Sequence, residues 1–240
     1  MNKYKHLKGP VYSRRLGKSL GIDLLPDNIC SEDCIYCECG STKNLTVERR
    51  EYVPVQKVLR ELDERLQENP QCDYITFSGR GEPTLHSGIG KIINFLAKHY
   101  SQYNIAVLTN STLLDRNSVQ QELMNVDLVV PSLDASSNKT FQQICRPADK
   151  VSFERLLRGI IEFSSKFTGK IFLEILLIKN LNDTQEEING FKKLITKIEP
   201  DRIDLNTVDR KPADKRAKSL SKEKLEKIAQ ELPDNTQIWR

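Results

Sequence analysis

Tyr74-Ile75-Thr76-Phe77-Ser78-Gly79-Arg80-Gly81-Glu82-Pro83 reads as a strand that runs into its own stop. The first four residues are β-branched or aromatic, and two glycines and a proline then break regular pairing. Helical stripes flank it. Val55, Val58, Leu59, Leu62 and Leu66 come before, and Ile89, Ile92, Ile93 and Leu96 after, each set recurring at three and four. Helix, strand and helix in that order form the unit of an α/β fold.

The unit repeats outward. Ile105 to Leu108 is strand-like and stops at Thr109-Asn110, a short polar helix spans Ser118 to Met124, and Leu128 to Leu133 is again strand-like. A helix carrying Leu156, Leu157, Ile160 and Ile161 precedes Lys170 to Ile178, the longest strand. Ile188, Phe191, Leu194, Ile195 and Ile198 form the next stripe, Ile203 to Val208 the last strand, and a charged helix around Leu225, Ile228, Ala229 and Leu232 closes the chain. With Ile22 to Leu25 as the first strand, six strands alternate with six helices. Right-handed crossovers between parallel strands would curl them into one sheet. A closed (β/α)8 barrel takes ~250 residues and eight units. Six units predict a partial (β/α)6 TIM-like barrel with parallel strands, and a doubly wound open sheet is the alternative. Without a fixed repeat or low-complexity linker, residues 1–240 form one expected domain, with a basic N-terminal arm over about residues 1–19.

That arm holds Lys3, Lys5, Lys8, Arg14, Arg15 and Lys18, and no acid precedes Asp23. It reads as a solvated basic segment or as a patch facing an anion. It lacks the long apolar core of a secretory signal, and nowhere does an apolar run approach the ~20 residues of a membrane span. A cytoplasmic, reducing location is expected, which makes disulfides a poor account of the 6 cysteines. The composition, 38% hydrophobic and 29% charged, is that of an ordinary soluble enzyme.

Polar residues gather where strands end. Thr76 with Ser78, Ser132 with Asp134, and Asp204 with Asn206 are two apart, so each pair shares a face. Glu174 sits inside the most apolar strand, where a carboxylate needs either an ion-pair partner or a ligand. All would look into one mouth at the carboxyl ends of the strands.

Cys30, Cys34 and Cys37 stand in the order C-S-E-D-C-I-Y-C just after the first strand. Thiolates this close can converge on one metal centre, and three leave a coordination position open. Cys39 reads most simply as a small loop residue. A zinc knuckle using Cys30, Cys34, Cys37 and Cys39 is the competing possibility, but it leaves Gly79 to Pro83 unexplained. Cys72 and Cys145 read as buried small hydrophobes, and His6, His86 and His99 are too scattered for a metal site.

The Cys30-x3-Cys34-x2-Cys37 spacing, with Tyr36 before the last cysteine, resembles the cluster motif of radical S-adenosylmethionine (radical SAM) enzymes. Ser78-Gly79-Arg80-Gly81-Glu82-Pro83 resembles the glycine-and-glutamate motif of the same superfamily, with Arg80 where many members have glycine. Gly17-Lys18-Ser19-Leu20-Gly21-Ile22-Asp23 and Leu205-Asn206-Thr207-Val208-Asp209-Arg210 look like the subgroup related to wyosine-synthesising tRNA enzymes.

The resemblance implies that Cys30, Cys34 and Cys37 hold three irons of a [4Fe-4S] cluster whose fourth iron binds S-adenosyl-L-methionine. Reductive cleavage would then give a 5'-deoxyadenosyl radical that takes hydrogen from substrate. It implies that Glu82 accepts from the methionine ammonium, that Gly79 and Gly81 let backbone approach the ligand, and that Tyr36 flanks the adenine. By position, Asn110, Ser132 and Asp134 are candidates for ribose or methionyl-carboxylate contacts, and Asn206 for adenine. A reductant such as flavodoxin or ferredoxin is the implied partner. Three functions stay open: RNA modification, with tRNA as substrate; radical chemistry on a small metabolite or peptide; and a non-catalytic iron-sulfur binding protein.

Overall fold

The computed structural model describes residues 3–239. Strands β1 (Leu7–Ser13) and β2 (Gly17–Ile22) form a hairpin, and two short strands, β3 (Ile29–Cys30) and β4 (Asn44–Leu45), bracket the cysteine loop. There follow α1 (Val55–Gln67), β5 (Tyr74–Phe77), a 3-10 turn (Pro83–Leu85), α2 (Ile89–His99), β6 (Asn104–Thr109), α3 (Asn117–Leu123) and β7 (Leu128–Pro131). The rest is α4 (Asn138–Ile144), α5 (Phe153–Ser164), β8 (Lys170–Leu177), α6 (Gln185–Ile198), β9 (Arg202–Thr207), α7 (Lys222–Ala229) and β10 (Thr236–Trp239).

Eight strands make one sheet in the order β1-β2-β5-β6-β7-β8-β9-β10. Only β1 runs antiparallel. The six expected parallel strands are β2 and β5 to β9, side by side in chain order, and they curl into a partial barrel. Alternation along β8 shows how the sheet divides its residues. Ile171, Leu173, Ile175 and Leu177 are buried in the main core with the helix stripes, whereas Phe172, Glu174 and Leu176 are half-buried on the other face. Inside the curl lies a second, smaller core of Leu16, Ala106, Leu128 and Val130, with Phe172 and Leu108 against it.

Several expectations change. The first strand is Gly17–Ile22 and not Ile22 to Leu25. Leu24 and Leu25 are buried as expected, but the Asp23 carboxylate accepts from the backbone N–H of Leu25 and of Arg80, which draws the chain out of the ladder. The basic arm is largely a strand, and its turn enters the barrel. Leu16 joins the inner core, Arg15 pairs with Glu174, and Arg14 reaches Asp209. Lys3 pairs with Glu68 and Lys8 with Asp23, so most of the arm's positive charge is answered within the fold. Met1 and Asn2 lie outside the described residues. Besides β1, the short pair β3 and β4 and the 3-10 turn, α4 was not anticipated, nor was β10, which adds a parallel strand beside β9. None of the described helices is long and apolar enough to cross a membrane.

Candidate metal centre

The cysteine loop leaves β3 and is pinned on three sides. Buried Asn28 aims its amide at the carbonyls of Gly40 (2.9 Å) and Ser41 (3.1 Å), closing the loop's far end. The Asp33 carboxylate accepts from Thr42 N–H at 2.7 Å and pairs with Arg146 at 2.9 Å. The third support is the end of α4. Ile35 N–H donates to Ile144 carbonyl (2.9 Å), Asp33 N–H to Cys145 carbonyl (3.0 Å), and Ala148 N–H to Ser31 carbonyl (3.0 Å). The loop is thereby laced to residues 144–148 like a short antiparallel strand.

Cys30, Cys34 and Cys37 are all half-buried on this support. The Asn110 amide donates to Cys30 Sγ at 3.5 Å. Burial pushes the Cys30 thiol well up. Cys34 is raised by its hydrogen bond with Cys145 and by burial, and Cys37 by its hydrogen bond with Cys39. Cys39 accepts that bond, which lowers it to about 7. These three thiols are raised, and no cation bonds to them among the described residues, so they suit a metal centre that binds thiolates outright. The zinc knuckle is not assembled. Ligands of one tetrahedral zinc stand roughly 3.5–4 Å apart, from bonds of about 2.3 Å, and no three of Cys30, Cys34, Cys37 and Cys39 lie within 4.8 Å of one another. A larger, three-thiol group such as an iron-sulfur cube fits the donor set.

The Gly79 to Pro83 turn abuts this loop. Glu82 is buried, and its Oε1 accepts from Thr84 N–H (3.0 Å), Thr84 Oγ1 (2.6 Å) and Thr109 Oγ1 (2.7 Å), while Oε2 accepts from Asn110 N–H (2.7 Å). Glu82 therefore joins the ends of β5 and β6, with acceptor capacity remaining on Oε2. Burial still raises its carboxyl above the usual range. The two glycines make room for close protein neighbours. A Cβ on Gly79 would stand 2.7 Å from the Asp23 carboxylate, and one on Gly81 would stand 1.9 Å from the Ile29 carbonyl. Their positive φ and missing side chains let β5's turn press on the β2 and β3 segments.

The remaining site residues fall into two groups. Tyr36 donates its hydroxyl to Asp134, which also accepts from Leu176 N–H at 2.8 Å, and burial pushes the Asp134 carboxyl up to about 7. Asn110 bonds Ser31 Oγ and accepts from Thr112. These residues cross-brace loop and strand ends. Deeper in the curl, Asn206 donates to Glu174 at 2.7 Å, and Arg15 pairs with the same carboxylate. Ser132 lies beside Glu174 in a parallel bridge, and its hydroxyl has no protein partner among the described contacts. Asp204, paired by face with Asn206 in sequence, is instead fully buried against Arg202 and Trp239 Nε1.

Sequence reasoning missed three participants: Asn28, Glu32 and Cys145. Cys145 stands against Cys34, and Glu32 Oε2 accepts from the Cys34 thiol at 3.3 Å. The C-S-E-D-C string contains Glu32, but nothing local marks the approach of a cysteine 111 positions on from Cys34.

The model of the Radical SAM superfamily matches residues 24–191, from just before the cysteine loop to the middle of α6. The chain belongs to the radical SAM superfamily, which uses a [4Fe-4S] cluster and S-adenosylmethionine. Within it, the chain is 36% identical to the UPF0026 protein MJ1312 of Methanocaldococcus jannaschii over 92% of its own length and 68% of the relative, and it belongs with that group. A 40% match covers 98% of this chain and 35% of "GTPase Obg" of Brachyspira hyodysenteriae. The chain thus spans about a third of that relative. It contains no G-x4-G-K-[ST] phosphate loop, and its Gly17-Lys18-Ser19 triplet lies in strand β2. At 27% identity, 82% of the chain matches 56% of the probable dual-specificity RNA methyltransferase RlmN of Thermotoga petrophila. In fold, the structure of TYW1 with a lysine-pyruvate adduct bound is similar, with a TM-score of 0.65 at 18% identity over 91% of this chain and 74% of that one.

Proposed function

We propose that this chain, acting as a single radical SAM core, cleaves S-adenosylmethionine reductively and modifies an RNA. The first half rests on Cys30, Cys34 and Cys37, held on a loop braced from three sides against the Gly79 to Glu82 turn. When bound there, the cluster supplies the electron that breaks the sulfonium carbon–sulfur bond, and a flavodoxin or ferredoxin in the cytoplasm is the fitting source of that electron.

The chain's own groups do the positioning. Glu82 Oε2 offers its remaining acceptor capacity to the methionine ammonium, and the unpartnered Ser132 hydroxyl is the group best placed to meet the ribose or carboxylate. Asn110 keeps Cys30 in place, and Tyr36 with Asp134 seals the loop against β8, so that water is excluded. Gly79 and Gly81 act by holding the turn close to Asp23 and Ile29. Asn206 orients Glu174 toward Arg15.

The RNA half is carried by the segment after β9. Asp209 to Lys218 contains Arg210, Lys211, Lys215, Arg216 and Lys218 against two acids. It crosses to the cysteine loop, where Asp214 N–H donates to the Ile35 carbonyl at 2.9 Å. Lys211, Lys215 and Lys218 are exposed, and no acid pairs with them among the described residues. Free cations beside a metal centre give phosphate a landing surface, and the likeness to an RNA methyltransferase supports the same class of substrate.

Two measurements test the reading. Reconstituted, dithionite-reduced protein given S-adenosylmethionine under nitrogen should release 5'-deoxyadenosine, and Cys34→Ala should release none and take up no iron. Iron uptake without 5'-deoxyadenosine would make it a binding protein. Affinity for bulk tRNA should fall with salt at a log–log slope of roughly 0.7–0.9 per phosphate contact. Changing Lys211, Lys215 and Lys218 together to glutamate should flatten that slope, and binding that ignores salt would rule RNA out in favour of a small metabolite or peptide.

A further inference from the structure

Behind the cysteine loop, two groups of metal-ligating type that the cluster does not account for, Glu32 and Cys145, stand beside Cys34. Glu32, Cys34 and Cys145 each bring one ligand atom to within 4.8 Å of the other two. Glu32 is 3% exposed and Cys145 is 2% exposed. A cavity of about 10 Å3 opens onto Glu32 and Cys145 and is also lined by Asn110, Asp134, Phe141 and Phe153. That is about the volume of one small occupant.

The charge around it is one-sided. Two carboxylates, Glu32 and Asp134, and two thiols, Cys34 and Cys145, face this region, and among the described residues no lysine, arginine or histidine bonds to any of them. Glu32's only side-chain partner there is the Cys34 thiol, a weak donor. A carboxylate removed from water with so little compensation is expensive, and coordination to a cation relieves it where a proton otherwise would. The donor types narrow the choice. Two sulfurs and a carboxylate oxygen suit zinc or ferrous iron and are poor for magnesium or calcium. Ligand atoms of such an ion stand roughly 3.5–4 Å apart, a small adjustment from the spacing present.

We infer that Glu32, Cys34 and Cys145 form a site for a single zinc or ferrous ion, filled when the cluster is absent. Cys34 would serve both centres, a point that rests on its role as cluster ligand, so ion and cluster exclude each other. The ion keeps the Cys34 thiol occupied and the loop closed until the cluster is built.

Cobalt(II) makes the site visible. Full-length protein stripped of iron, reduced and kept under nitrogen, should bind one equivalent of cobalt with thiolate-to-metal absorption in the near ultraviolet. Cys145→Ser and Glu32→Gln should each weaken binding by at least about tenfold, with circular dichroism confirming their fold. Cys30→Ser and Cys37→Ser should bind as the parent does, although neither can hold the cube. That contrast separates this site from the cluster reading. Preloaded zinc should also delay iron-sulfur reconstitution in the parent and not in Cys145→Ser. Absence of a cobalt band, or a band that needs Cys30 and Cys37 and survives Cys145→Ser, would overturn the site. Equal reconstitution rates with and without zinc would overturn the exclusion.

Discussion

At Gly81 the fold leaves no room for a side chain. The clash of an added Cβ is with backbone, the Ile29 carbonyl, and the φ of +120° is hostile to any L residue. Gly81→Ala should cost at least about 2–3 kcal/mol, read from the urea midpoint, and should lower iron uptake because Ile29 adjoins Cys30. His86 yields a pH prediction. It is fully buried, its Nε2 donates to the Val53 carbonyl (2.8 Å), and its Nδ1 accepts from Gly88 N–H (3.1 Å). The bond accepted by Nδ1 needs the neutral ring, and burial lowers its affinity for a second proton below the ordinary value of 6.5. Unfolded His86 binds that proton more readily, so stability is complete above about pH 6.5 and falls as the pH drops through it. Denaturation at pH 5 to 8 should show this slope, and His86→Leu should flatten it.

Among the elements, α4 decides how the cysteine loop sits. Its seven residues, N-K-T-F-Q-Q-I, include only two apolar positions, too few for a stripe, which is why its sequence reads as connection. A carboxylate from a neighbouring helix holds it. Buried Glu187 on α6 accepts from Ser136 N–H, Ser137 Oγ and Thr140 Oγ1, each at 2.7 Å. Glu187→Ala leaves these donors without their acceptor and should cost about 1–3 kcal/mol. Because the end of α4 laces the loop, hydrogen exchange at Asp33 and Ile35 should quicken in the same variant. Unchanged protection there would show that the loop stands without α4. β1 was hidden for a related reason: Gly9-Pro10 in its middle is loop punctuation, and Lys8 within it and Arg14 and Arg15 just past it obscure the alternation.

For the molecule as a whole, the hairpin turn fills the barrel from inside. Arg15 and Glu174 meet across the curl with side chains 23% and 17% exposed. Removing one partner leaves the other charge poorly solvated. Arg15→Met should cost about 2–3 kcal/mol, on the low side for buried pairs because water retains some access. Arg15→Met combined with Glu174→Gln should recover part of that loss, and a double-mutant cycle on thermal melts measures the coupling. Additive losses would mean that the pair contributes nothing beyond packing. Since Glu174 also accepts from Asn206, the same pair sets the polar floor of the barrel.

The local pattern alone determined the alternation of β5 to β9 with their helices, the three-cysteine loop and the glycine turn, while the tertiary structure chose the curl over an open doubly wound sheet. These are legible because period, punctuation and short spacing are properties of neighbours in the chain. Only the tertiary structure decided that the basic arm pairs as a strand and sends Arg15 inward, that Gly79 and Gly81 yield space to Asp23 and Ile29, and that Cys145 and Glu32 close on Cys34. Apart from the local β1–β2 hairpin, each of these depends on two segments far apart in sequence meeting in space, and such a meeting leaves no periodic trace in either one.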